Sequence, residues 1–142
     1  MTAFLLSSAH RAQIEREARD GFPRECCGLL EGVTDGETIS VTALHPARNL
    51  SADSDRFEID PSDHFAAIRT ARANGTEIVG CYHSHPNGSA KPSARDAEGA
   101  WDEGFVWLIA AVSGGAASVR GFSRNADGWQ PVELQEIAEN AA

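Results

Sequence analysis

One short apolar run, Glu77 to His83 (EIVGCYH), constrains the fold more than any other stretch of this chain. Its length and its β-branched and aromatic content read as a strand, central in a sheet and buried on both faces. The run leads into His83-Ser84-His85, and Pro86-Asn87-Gly88 then breaks the ladder. Residues i and i+2 of a strand point to the same face, so the two imidazoles project together while Ser84 points away. They stand at the rim of the sheet, where α/β folds usually place their sites.

The remaining elements follow from their punctuation. Ser7 or Ser8 can cap a first helix that runs to about Asp20, with Ile14 and Ala18 on one face and Gly21 to stop it. Pro23 leads into a strand over Cys26 to Leu30, and Asp35-Gly36 turns the chain into a half-buried strand over Thr38 to Leu44. A polar loop, Asn49 to Asp55, precedes a short strand around Arg56 to Ile59. Asp60-Pro61-Ser62-Asp63 starts a helix that ends near Ala73, before Asn74-Gly75. A further helix is expected from Ser93 to about Gly104. Phe105 to Val112 is the most apolar strand, Ser113-Gly114-Gly115 turns it towards Ala117 to Ser123, and a last strand follows Pro131. The tail from Ala138 to Ala142 is expected to fray. Strands and helices alternate, which predicts an α/β fold in which helices sandwich a mixed sheet. The 142 residues make a single domain, 1–142, with no repeat or linker.

Composition narrows the function. A net charge of −9 argues against nucleic acid, because phosphate neutralisation needs a basic face. No apolar run is long enough to cross a bilayer, and the N-terminus lacks the basic region and cleavage site of a signal peptide. No membrane association is therefore expected, and the cytoplasm is the default location. Cys26, Cys27 and Cys81 form no C-x-x-C pair and leave an odd thiol, which suits a reducing compartment. Each reads as a small buried hydrophobe. His10, His45 and His64 lack metal-ligand spacing, and Trp101, Trp107 and Trp129 read as core or interface fillers.

The chemistry gathers around the histidine pair. His83, His85 and Asp96 supply three ligands and leave one coordination position open, the arrangement of a catalytic zinc site. Glu25, in Pro23-Arg24-Glu25-Cys26-Cys27-Gly28-Leu29-Leu30, offers a general base. Ser93, at a helix start, could donate a hydrogen bond to an oxyanion. Each piece alone has a plainer reading. An H-x-H pair is weak evidence, Ser93-Ala94-Arg95-Asp96 looks like a capping box, and Glu25 looks like a surface carboxylate. Ligand count, ligand types and an available base agree only in combination.

Glu25, His83-x-His85 and Ser93-x-x-Asp96 together resemble the JAMM motif of the MPN-domain metalloproteases, in which a distant Glu joins H-x-H, about ten residues, and Asp. Pro23-x-Glu25-x-x-Gly28-Leu29-Leu30 and Phe57-x-x-Asp60-Pro61 resemble the prokaryotic branch, and the match spans about Phe4 to Glu133. The resemblance implies an MPN fold like that of the cytidine deaminases. It also implies Zn²⁺ on His83, His85 and Asp96 with water as fourth ligand, Glu25 as the base that passes a proton to the leaving amine, and Ser93 on the oxyanion. It further implies a peptidase or isopeptidase acting after the Gly-Gly tail of a ubiquitin-like or sulfur-carrier protein. The short stretch between Glu25 and His83 has no room for large insertions, and an extended tail could lie along a strand edge.

Several rivals stand beside this reading. One is a non-catalytic MPN interaction scaffold, which zinc content would separate from the enzyme. A DNA-associated relative of the RadC type fits poorly with the acidic charge and the lack of a helix-hairpin-helix extension. A thiol nucleophile at Cys26 or Cys27 would need a histidine free of metal. The zincin H-E-x-x-H and the deaminase P-C-x-x-C patterns are absent. A homodimer is left open, as is the identity of the carrier. Asn87 to Lys91 is the expected mobile element over the site.

Overall fold

The strand expected at Glu77 extends two residues further than its apolar run and ends on His85 itself. The computed structural model describes residues 3–52, 57–89, 91–92, 105–125 and 128–137. In chain order the elements are β1 (Ala3–Ser7), α1 (Ser8–Gly21), β2 (Cys27–Asp35), β3 (Thr38–Ala47), α2 (Pro61–Ala73), β4 (Glu77–His85), β5 (Val106–Ser113), β6 (Ala116–Asn125) and β7 (Gly128–Ile137). The helix expected from Ser93 to Gly104 lies outside the described residues, as does the tail from Ala138.

The sheet is mixed, as expected, but the expectation that helices simply sandwich it needs correction. The strands form one mixed sheet that closes into a barrel in the order β1-β3-β2-β4-β5-β6-β7. Closure depends on β1, a strand not foreseen in the sequence, which pairs in parallel with β3 at one side and with β7 at the other. Phe4 and Leu6 alternate into the core, and Ser7 ends the strand by becoming the cap of α1. Residues 57–59 were expected to end a short strand, yet Ile59 makes only a single bridge to Asn49.

The described helices nevertheless cover opposite faces of the sheet. Ile14 and Ala18 of α1 pack with Leu30, Tyr82, Leu108 and Ala110, whereas Ala67 of α2 packs with Cys27, Leu29, Cys81 and Trp107. Alternate strand positions point to opposite sides, so these two sets belong to opposite faces. β5 is buried at every position except Ser113, in keeping with its run of apolar residues.

Local chemistry sets the ends of the helices. The Ser7 hydroxyl accepts the His10 amide at 3.1 Å and caps α1. Asp60 caps α2, accepting from the Ser62 amide at 2.9 Å and its hydroxyl at 2.8 Å. Those two bonds, with Arg48 nearby, hold the Asp60 carboxyl below the usual carboxylate range. At its other end α2 gives way to Asn74 and to Gly75 at φ +72°, a backbone conformation that side chains with a Cβ rarely adopt.

The sheet also buries a carboxylate that no sequence pattern marks. Glu31, in the middle of β2, is 2% exposed. Its Oε1 accepts from His45 at 2.7 Å, and its Oε2 accepts from Thr76 at 2.6 Å and Asn74 at 3.1 Å. Burial pushes its pKa up, but the three hydrogen bonds outweigh that and hold it below the ordinary value. Register shifts flank Glu31 on both sides of β2, and the cluster ties the C-terminal end of α2 to the sheet.

Candidate metal centre

The pairing of β2 with β4 brings Glu25 to the histidines. Cys27 lies opposite His83 in the antiparallel ladder. One step beyond β2, the Ser84 amide donates to the Cys26 carbonyl at 3.1 Å, and the Cys26 amide donates to the Ser84 hydroxyl at 2.8 Å. Another step along the same register sets Glu25 across from His85 and on the same face as both histidines. All three side chains are buried, with Glu25 4% exposed. One ligand atom from each of Glu25, His83 and His85 lies within 4.8 Å of the other two.

The imidazoles are oriented by their neighbours. His85 Nδ1 lies 2.9 Å from the Ser89 carbonyl, which can only accept, so Nδ1 donates there and Nε2 is the ring nitrogen that faces His83. The Asn87 side chain accepts the Ser89 amide at 2.9 Å and shapes the turn that returns this carbonyl. Phe57 stacks on the His83 ring with centroids 4.3 Å apart, and Trp107 meets that ring edge-on at 5.6 Å. Trp129 packs in turn against Trp107 at 5.3 Å. Trp107 is a core filler that also forms a wall of the site, and Trp129 is half-buried against the edge of that core.

The donor set fits a divalent metal ion. The two Nε2 atoms are 3.1 Å apart. Nitrogens on a tetrahedral zinc at about 2.0–2.1 Å would be about 3.3 Å from one another. Imidazole and carboxylate together suit a borderline-soft ion, and the Ser89 carbonyl is the outer partner that a ligating histidine usually has. Ser93 and Asp96, the other expected site residues, lie outside the described residues, as does Trp101.

The thiols beside the site are poor nucleophiles. Burial pushes the Cys26 thiol up to about 11, against a lowering contribution from Ser84, and burial pushes Cys27 up to about 12. The three cysteines are free thiols, and Cys27 and Cys81 are fully buried. His45 is engaged with Glu31 and stands apart from the histidine pair. Sequence reasoning gave neither Phe57 nor Asn49 a role at the site: Phe57 entered only through the Phe57-x-x-Asp60-Pro61 resemblance, and Asn49 only as the start of a polar loop.

The sequence and the fold both have known relatives. The family described as prokaryotic homologs of the JAB domain matches residues 7–125. The chain belongs to this family. It is 39% identical over 121 residues to a desampylase of Haloferax volcanii, covering 80% of this chain and 86% of that protein. A probable TtuB-protein conjugate cleaving protease of Thermus thermophilus is 34% identical over 113 residues, or 79% of this chain and 67% of the relative. The solution structure of a Desulfitobacterium hafniense protein superposes with a TM-score of 0.84 at 30% identity, covering 99% of this chain and 97% of the other. The family match thus takes in both described helices and the β2–β4 pair that carries the candidate metal group of Glu25, His83 and His85.

Proposed function

We propose that this JAB-domain chain is a zinc-dependent peptidase or isopeptidase. In this reading it hydrolyses the amide bond after the C-terminal Gly-Gly tail of a ubiquitin-like or sulfur-carrier protein. The observation that carries the proposal is the convergence of Glu25, His83 and His85 on one buried face, with ligand atoms within 4.8 Å of one another. The relatives named desampylase and TtuB-conjugate protease support the choice of substrate class.

His83 and His85 would hold the ion through Nε2, with Asp96 as third ligand. A zinc ion there supplies Lewis acidity, lowering the pKa of a water to about 7 and polarising the scissile carbonyl. Glu25 takes a proton from the attacking water as its oxygen bonds to the carbonyl carbon. It then delivers that proton to the amine nitrogen as the C–N bond breaks. Ser93 donates to the oxyanion, a contribution of the kind whose removal costs about 100- to 1,000-fold in turnover. Phe57 and Trp107 keep His83 in a dry, fixed orientation.

We place the reaction in the cytoplasm, where free thiols such as those of the cysteines here persist. No helix among the described residues is long and apolar enough to cross a membrane. Elemental analysis of the purified protein beside His85→Ala, with an assay on a carrier-protein conjugate, tests the proposal. One zinc per wild-type chain, lost in the variant together with cleavage, is the expected result. Folded wild-type protein that takes up no zinc on resupply would overturn it and favour a scaffold.

A further inference from the structure

The peptide unit that joins Glu25 to Cys26 is gripped at both ends. Its carbonyl, on Glu25, accepts the Asn49 side-chain amide at 2.9 Å. Its N–H, on Cys26, donates to the Ser84 hydroxyl at 2.8 Å. A planar peptide unit bonded on opposite edges cannot rotate about its flanking bonds without breaking one of the two contacts. That plane sets the direction in which the Glu25 side chain leaves the backbone.

Neither contact is a routine ladder bond. In an antiparallel hydrogen-bonded pair, the Cys26 amide would bond the backbone carbonyl of its partner, as the Ser84 amide bonds the Cys26 carbonyl at 3.1 Å. Here the hydroxyl stands in for that carbonyl, at the step where the chain enters β2. Ser84 is fully buried and lies on the face away from the histidines. It therefore reaches Glu25 through the backbone and not across the site. Asn49 is oriented by its own network. Its Oδ1 accepts the Ser51 and Glu58 amides, each at 2.9 Å, which leaves Nδ2 to face Glu25. Arg24 adds a brace by donating to the Asn49 and Ser51 carbonyls.

We infer that Ser84 and Asn49 are positioning residues that lock the Glu25–Cys26 peptide and so hold the Glu25 carboxylate against the histidine pair. The middle residue of His83-Ser84-His85 is then a working part of the site and not a spacer. The inference rests on the proposed role of Glu25 as proton carrier. A shift of about 1 Å in such a group can cost about 100-fold in rate.

The test uses Ser84→Ala, which removes the hydroxyl, and Ser84→Thr, which keeps it. It adds Asn49→Asp, which keeps the acceptor for Ser51 and Glu58 but turns an oxygen towards the Glu25 carbonyl. In the metal-free protein, amide hydrogen exchange at Cys26 should be slow in wild type and Ser84→Thr, and at least tenfold faster in Ser84→Ala. In the zinc-loaded protein, Ser84→Ala and Asn49→Asp should keep their zinc and a KM within about twofold, while kcat falls about 10- to 100-fold. Ser84→Thr should restore most of it. Unchanged Cys26 exchange in Ser84→Ala, or kcat within twofold of wild type in both variants, overturns the inference. If Ser84→Ala does not fold, Asn49→Asp decides alone on the same kcat criterion. A wild-type protein without activity would instead refute the proposed function, and the exchange measurement would still decide whether the clasp exists.

Discussion

Replacing Glu31 by Gln keeps the shape of the side chain and removes its charge. In the native protein the carboxylate accepts three hydrogen bonds, from His45, Thr76 and Asn74, while 2% exposed. A hydrogen bond to a charged group contributes about 1.5–3 kcal/mol and a neutral one about 0.5–1.5, so each bond loses roughly 1 kcal/mol. Three such losses give about 3 kcal/mol. Two discounts apply: the buried charge pays desolvation, and His45 sits at the solvent end of the cluster, where screening weakens its share. The expected net loss at neutral pH is about 1–2 kcal/mol.

The pH dependence follows from the direction of the shift. The Glu31 pKa is lower in the folded protein than its ordinary value of 4.5, so its contribution is complete above that value and fades as pH falls through the folded pKa. Urea denaturation, followed by the fluorescence of buried Trp107, should show wild type more stable than Glu31→Gln at pH 7. The gap should narrow as pH falls below 4.5. A neutral-pH gap below about 0.5 kcal/mol, or one that widens on acidification, would refute the account.

Two further outcomes are expected from packing and burial. In Gly28→Ala, the new Cβ would lie 2.3 Å from Cζ of Tyr82, whose buried ring is anchored by a 2.8 Å hydrogen bond from its hydroxyl to Glu17. Gly28 lies directly opposite Tyr82 in the ladder, so denaturation should show a loss of about 1–3 kcal/mol, and an unchanged stability would contradict the packing. With thiols raised to about 11 and 12, Cys26 and Cys27 should hold only about one thiolate in a thousand or fewer at pH 8. Mass spectrometry should find both unmodified by iodoacetamide in the native protein long after a urea-unfolded sample has reacted fully.

What could be read from the sequence was what local pattern encodes. The alternation through His83-Ser84-His85 places two imidazoles on one face, and the structure keeps them there, with their Nε2 atoms 3.1 Å apart. Asp60 and Gly75 bracket α2 as their capping and turn chemistry requires. The unread parts depend on distant partners. Phe4 and Leu6 alternate over a strand of five residues, too short to distinguish from the helix it runs into, and its partners are Thr38–Ser40 and Glu133–Ile137. Without that strand the sheet reads as open. Glu31 sits between Leu30 and Gly32 like any water-facing strand carboxylate, and its burial is decided by Asn74 and Thr76 more than forty positions away. Asn49 looks like loop filler because its target, the Glu25 carbonyl, is backbone and leaves no mark on sequence.

His83 and His85 stand on β4, hydrogen-bonded to β2 on one side and to β5 on the other. Their placement is therefore settled when the barrel folds. In a zinc finger the ligands are scattered in the apo chain, and the ion's affinity is spent on assembling them. An ion taken up at the proposed metal site would meet imidazoles already aimed. For the proposed zinc site, a chelator should remove the ion and leave the barrel standing, so that its capture and loss would be reversible events on an intact scaffold, decoupled from folding.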